Sequence, residues 1–251
     1  MTDLPGAAPE EELLSPVDLG AVLCFVAGAI NAGGFLAVGM YTSHMSGVVS
    51  SMADNAVLGQ GLLVWIGLWS LLAFIGGAMT TALMVRWALR RDLRSAYSRP
   101  LLLEAILLLV FGVFGAAIDA HSLALVPYTV VLLCFIMGLQ NALITKRSNA
   151  EIRTTHITGL VTDLGIELGN LVYINRSFPQ APRVRANRAK MRVHLKLLAS
   201  FILGALCGAW GFKALGYIAT VPLSLVLVAL VARPVLFDFR AWRTRRRAPS
   251  D

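Results

Sequence analysis

The sequence predicts an all-α integral membrane protein, with six transmembrane helices and two shorter polar, re-entrant helices arranged as two inverted-topology repeats. Three observations lead there. Of the 251 residues 57% are hydrophobic and only 14% charged, with a mean hydropathy of +0.71, whereas soluble domains sit near 45–50% apolar and about 25% charged. Six apolar runs have roughly the 20 residues that cross a bilayer as a helix. Two polar motifs recur in the same order in the second half of the chain. Too little polar sequence lies outside the runs for a separate water-soluble domain, which argues against a soluble enzyme.

The first element is an acidic N-terminal tail over 1–16, which holds Asp3, Glu10, Glu11 and Glu12 and no Lys or Arg. A signal peptide needs a positive n-region, so the first span is expected to be uncleaved. A single transmembrane domain over 17–232 follows. Its first repeat, 17–118, has spans at 17–40, 61–85 and 101–118; its second, 123–232, has spans at 123–145, 194–212 and 216–232. Between the first two spans of each repeat lies a helix-compatible stretch, 44–60 or 154–173. Ser, Thr, Asn, Asp and Glu interrupt both stretches, which makes them poor lipid-facing spans. The last element is a basic cytoplasmic tail over 233–251.

Orientation follows from the basic residues. With six spans, 21 of the 22 Lys and Arg fall on one side and Lys213 alone on the other. Were both polar stretches to span, two of the clusters would cross over, and the positive-inside rule favours the six-span split. Because the N-terminal tail carries no Lys or Arg, the count leaves open a seventh span at 44–60. The C-terminus is expected in the cytoplasm. The net charge of +8 then describes membrane-facing loops and calls for no nucleic acid; the tail from Arg240 to Arg247 meets anionic headgroups, each cation near that surface contributing about 1 kcal/mol. Cys24, Cys134 and Cys207 are an odd set inside apolar runs, with no disulfide framework or metal spacing.

The internal repeat is the strongest signal. Cys24-Phe25-Val26-Ala27-Gly28-Ala29-Ile30-Asn31-Ala32 returns 110 residues later as Cys134-Phe135-Ile136-Met137-Gly138-Leu139-Gln140-Asn141-Ala142, five of nine positions identical. Thr42-Ser43-His44-Met45-Ser46-Gly47 returns at an offset of 112 as Thr154-Thr155-His156-Ile157-Thr158-Gly159. Three spans per repeat is an odd number, so the second copy enters the membrane from the opposite side, and interrupted helices at matching positions point to a binding site at the repeat interface.

These motifs resemble the YoaK-like family of bacterial membrane proteins of unknown function, over nearly the whole chain from Val17 to about Ala232. Gly138-Leu139-Gln140-Asn141-Ala142 is the most specific block. This chain departs from the family pattern at Asn31, where an acidic residue is usual, and at Ser46-Gly47-Val48, where Thr-Gly-Asn is usual. The resemblance implies a bacterial inner-membrane location and little chemistry.

Several polar residues sit where lipid or protein should surround them. On a helix His156, Asp163 and Glu167 fall within about 20° of one line, and their counterparts in the first half are His44, Ser51 and Asn55. Intramembrane ionisable groups mark ion or substrate pathways, and His beside carboxylates can relay protons near neutral pH. The bland alternative has the hydroxyls and imidazoles satisfying a neighbouring helix while Asp163 and Glu167 pair with Arg153 or Arg176. Asn31, Gln140 and Asn141 are either interhelical hydrogen bonds between the two pseudo-symmetric halves or the lining of a polar cavity. Glu104, after Arg99-Pro100, is expected at the interface beside a loop Arg, and Asp119 and His121 in a short external turn. Gly33-Gly34 and Gly39 are expected to loosen the end of the first span; Gly76-Gly77, Gly204, Gly208 and Gly211 to serve close helix packing.

The expected function is a small secondary transporter or channel-like permease for a small solute or ion, with protons as the coupling ion. Its pathway would be lined by Asn31, Thr42, His44, Ser46, Gln140, Asn141, Thr155, His156, Thr158, Asp163 and Glu167. The alternative is a non-transporting membrane scaffold or sensor whose motifs lock the halves together. No nucleophile with a positioned base, phosphate-cradling loop or redox pair appears, so no enzyme activity, catalytic residue, cofactor or bound metal is expected. Partners are the anionic bilayer surface and an unidentified solute.

Overall fold

The computed structural model describes residues 14–121, 126–150, 152–175 and 183–247. Most of the acidic tail and Arg176 lie outside them. Among the described residues the fold is all-helical: α1 Pro16–Val38, α2 Met45–Val57, α3 Gly61–Leu89, α4 Ser98–His121, α5 Val126–Arg147, α6 Ile157–Val172, α7 Arg188–Leu215, a 3-10 turn at Gly216–Ala219, and α8 Thr220–Arg247. Four segments are long and apolar enough to cross a membrane: Pro16–Leu36, Gly61–Leu89, Val126–Arg147 and Arg188–Arg240, the last containing both α7 and α8.

The helix ends follow local chemistry. Ser15 caps α1, its hydroxyl accepting from the Asp18 amide at 3.2 Å with Pro16 next in line; Asn187 caps α7 in the same way through the Lys190 amide at 3.0 Å. Gly39 closes α1 at φ 74°, a left-handed conformation that a side chain would strain. α1 nevertheless stays helical through Gly33-Gly34, where loosening was expected, because Gly33 makes room for the Phe212 ring. Asp119 and His121 belong to the last turns of α4 and not to an external turn. α8 continues beyond Ala232 through Pro234 to Arg247, so the basic segment after 232 extends a helix.

The long helices pair across the two halves of the chain. α1 runs parallel to α7, with Gly20 beside Leu197 and Gly33 beside Phe212; α3 runs parallel to α5, with Gly77 against Phe135 and the Thr81 hydroxyl donating to the Leu139 carbonyl at 3.0 Å. α4 and α8 are antiparallel: Ser95, just before α4, meets Asp238 late in α8, and Gly112 meets Thr220 at the start of α8. Both parallel crossings use one pattern, Phe-x-x-Gly. Gly28 lies on the Phe201 carbonyl and Gly204 on that of Phe25; Gly77 lies on the Phe135 carbonyl and Gly138 on that of Phe74. A Cβ at any of the four would meet backbone that cannot rotate away. Small residues let helices approach closely where lipid is as apolar as leucine and packing supplies the attraction.

One end of the bundle gathers the charges. Asp18 pairs with Lys196, Arg147 lies 5.3 Å from the Tyr97 ring centre and Arg99 lies 5.0 Å from that of Trp87. Together with Asp238, these contacts bring the starts of α1, α4 and α7 and the ends of α3, α5 and α8 to the same end. The flanks are apolar: Trp65, Trp69, Leu72, Ile75, Met79 and Leu83 are exposed along one face of α3. Polar ends and an exposed apolar belt are what a bilayer solvates.

Candidate functional site

Each short polar helix is reached by a chain that doubles back into the bundle. Past Gly39 the chain returns until the Asn31 side-chain oxygen accepts from the Ser43 hydroxyl at 3.0 Å and the Ser43 amide at 3.4 Å. Past α5 it returns until the Asn141 oxygen accepts from the Thr155 hydroxyl at 2.8 Å, while the Asn141 amide group donates to the Met137 carbonyl at 2.9 Å. Both asparagines lie about two turns inside their helices, so each loop retreats on the order of 10 Å. α2 then runs back out along α3, with Met52 over Gly67, and α6 runs out along α7, with Asp163 beside Lys190.

His44 and His156 are the N-cap residues of α2 and α6, and neither ring caps a backbone amide. Each ring packs instead on the glycine three residues ahead. A Cβ on Gly47 would stand 2.5 Å from His44 Nδ1, and one on Gly159 2.5 Å from His156 Cε1. The glycine in Thr-x-His-x-Ser/Thr-Gly therefore makes room for the imidazole. His44 Nε2 also lies 3.1 Å from the Ser46 hydroxyl.

The two motifs open onto one central cavity of about 560 Å3. His44 and Ser46 line it from the first half, and Asn141, Thr155, His156 and Thr158 from the second. Ser43 and Arg153 also line it, and Phe74, Ala78 and Gly138 form its apolar wall. The N-terminal residues of both short helices thus line the same space, and among the described residues no acidic residue does. A second cavity of about 470 Å3 shares Arg153, His156 and Thr158 with the first and adds Asp163 and His194. There Asp163 lies 3.4 Å from Lys190 and 3.7 Å from His194 Nε2.

The other expected site residues are placed elsewhere. Asn31 acts through Ser43. Thr42 and its counterpart Thr154 are fully buried with unpartnered hydroxyls. The Cys24 thiol approaches the Thr154 carbonyl oxygen at 3.5 Å, and Cys134 is likewise buried. Glu167 falls on the expected stripe but is buried, accepting from the Asn187 amide at 2.7 Å, so it fastens the start of α7. In the first half, Asn55 donates to Ser51 at 3.1 Å within α2.

Gln140 faces away from the cavity, toward Glu104. Glu104, expected at the interface beside a loop Arg, is instead 1% exposed inside the bundle and turned toward Gln140 of α5. Arg153 and Ser43, which were not expected to line the pathway, do line the cavity, and their place close to a repeated histidine is a visible signal. His194 has none, since it opens an apolar run.

An apolar bundle with its polar elements gathered inside defines a helical transmembrane protein. A family model described as "Protein of unknown function (DUF1275)" matches residues 19–232, and the chain belongs to that family. It is similar to the "UPF0700 transmembrane protein YoaK" of Bacillus subtilis (strain 168), at 27% identity over 162 residues, 62% of this chain and 68% of that one. This agrees with the resemblance carried by the Asn and His motifs. No solved structure matches the chain.

Proposed function

We propose that the chain is a channel-like permease or secondary transporter for a small anionic solute, built from two inverted three-span repeats in a bacterial inner membrane. The carrying observation is that both repeated His motifs, each at the N-terminus of a short helix, open onto one cavity. Helix N-termini hold partial positive charge and unsatisfied amides, and half-helix ends near the midplane are where transporters hold anionic groups. Arg153 adds a full positive charge beside His156. This favours anions over cations.

Helix directions support six spans. Antiparallel α4 and α8 require an even number of crossings between the end of one and the start of the other, which α5 and α7 supply if α6 stays re-entrant. Parallel α1 and α7 require an odd relation that holds only if α2 does so as well. With the positive-inside rule, the basic end, both termini included, then faces the cytoplasm. His156, Asp163 and His194 beside the second cavity form the group suited to proton linkage.

Osmotic swelling of liposomes holding the purified protein tests the proposal, using potassium formate, acetate and nitrate, with valinomycin to carry the potassium, against glycerol. The expected result is swelling with the anions above that of empty liposomes, lost in both His156→Ala and Arg153→Ala while circular dichroism is unchanged. Absence of flux for every anion overturns it. If those variants instead lower thermal stability alone, the motifs are joints of a scaffold.

A further inference from the structure

A third cavity, about 600 Å3, lies at the basic end of the bundle between the end of α3, the loop before α4 and the late turns of α8. Its rim is cationic. The guanidinium carbons of Arg91 and Arg99 stand 4.5 and 5.0 Å from the centre of the Trp87 ring, so one indole carries two positive charges. Asp238 lines the same groove but is engaged elsewhere: its oxygens accept from the Ser95 hydroxyl at 2.5 Å, the Ser95 amide at 2.9 Å and the Arg94 amide at 3.3 Å. Arg99 Nε donates to the Ser95 hydroxyl at 3.0 Å. Among the described residues neither Arg91 nor Arg99 has a carboxylate within ion-pair distance.

Inward from the arginines the groove turns apolar, walled by Met84 of α3, Leu103 and Ile106 of α4 and Val235 of α8. Ile106 lies two turns beyond Arg99, about 10 Å deeper along α4. Cationic at the surface end and apolar toward the bilayer, the groove matches an amphiphile with an anionic head. A free anion would use the arginines and gain nothing from the apolar wall.

We propose that this groove binds an anionic phospholipid, its phosphodiester held by Arg91 and Arg99 and an acyl chain laid over Leu103, Ile106 and Val235. Guanidinium groups match phosphate oxygens in a fixed fork, and basic pockets between helices at the cytoplasmic surface suit such headgroups. The lipid would clasp α3, α4 and α8, tying together helices from both halves.

Native mass spectrometry of the full chain tests this, with phosphatidylglycerol or phosphatidylcholine added to the micelles. The wild type is expected to retain phosphatidylglycerol about tenfold or more better. The double variant Arg91→Ala/Arg99→Ala should lose the preference. Ile106→Trp, which fills the apolar wall and leaves both guanidiniums in place, should weaken retention several-fold. Inorganic phosphate should not displace the lipid. A preference that survives in the double variant overturns the proposal, as does unchanged retention in Ile106→Trp; displacement by inorganic phosphate marks a free-anion site and overturns it as well.

Discussion

Replacing Gly28 by Ala is expected to destabilise the bundle although alanine is the better helix former. A Cβ there would stand 2.9 Å from the Ala205 amide nitrogen and closer still to the Phe201 carbonyl oxygen, against 3.4–4 Å for ordinary contact. The two backbones must part by more than half an ångström. A gap of ~0.5–1 Å forfeits a quarter to a half of each dispersion well it crosses, and overpacking of this kind costs ~1–3 kcal/mol. Helix propensity returns up to about 1 kcal/mol. Contact with rigid backbone below 3 Å puts the cost in the upper half of the overpacking range, and the net expectation is a loss of ~1–2 kcal/mol.

Gly165→Ala in α6 is the matched control, since nothing lies within 4 Å of its Cβ position; it should gain ~0.5–1 kcal/mol. Thermal unfolding in one detergent should rank Gly165→Ala at or above wild type and Gly28→Ala below, separated by roughly 3–12 °C at ~2–4 °C per kcal/mol. Adding Gly204→Ala to Gly28→Ala should cost less than it does alone, because one crossing is already opened. Equal midpoints for Gly28→Ala and Gly165→Ala would refute the reasoning.

Two more predictions concern other sites. Gly159→Ala pushes a Cβ into the His156 ring and not into a backbone, so swelling rates should change while the unfolding midpoint stays within about 2 °C of wild type, a shift worth ~1 kcal/mol or less; a large fall in midpoint with normal flux would show that the ring is only structural. Asp238→Ala removes the acceptor of three hydrogen bonds to Arg94 and Ser95. It should cost ~1–3 kcal/mol in the same assay, and an unchanged midpoint would mean that the loop before α4 holds its shape without it.

The helices were legible because lipid demands long apolar runs, and the His and Asn motifs because a repeated polar residue in such a run stands out. Asn31 with Ser43, and Asn141 with Thr155, bond within their own halves to the loop after the helix and not across the halves as interhelical hydrogen bonds, and Asn141 also lines the central cavity. Asp163 and Glu167 lie one turn apart in α6, behind the N-cap His156, but a line does not say what faces it. Asp163 meets Lys190 and His194, whereas Glu167 meets the Asn187 amide, 20 residues away. Glu104 was misplaced because its neighbour in sequence, Arg99, turns to Trp87, while its own turn of α4 points inward. The Phe-x-x-Gly crossings were invisible as such: Phe and Gly are ordinary in apolar runs, and only the facing helix gives their spacing meaning.

The exchange of partners between halves also sets the order of events during synthesis. Gly28 must wait for Gly204, and at roughly 5–20 residues per second of translation that is on the order of 10–35 s. For that interval α1 sits in the bilayer without its partner, its small-residue seam covered only by acyl chains, while Asn31 depends on the loop just after it. The nascent first half is therefore an open assembly. The crossing closes only once α7 has been inserted.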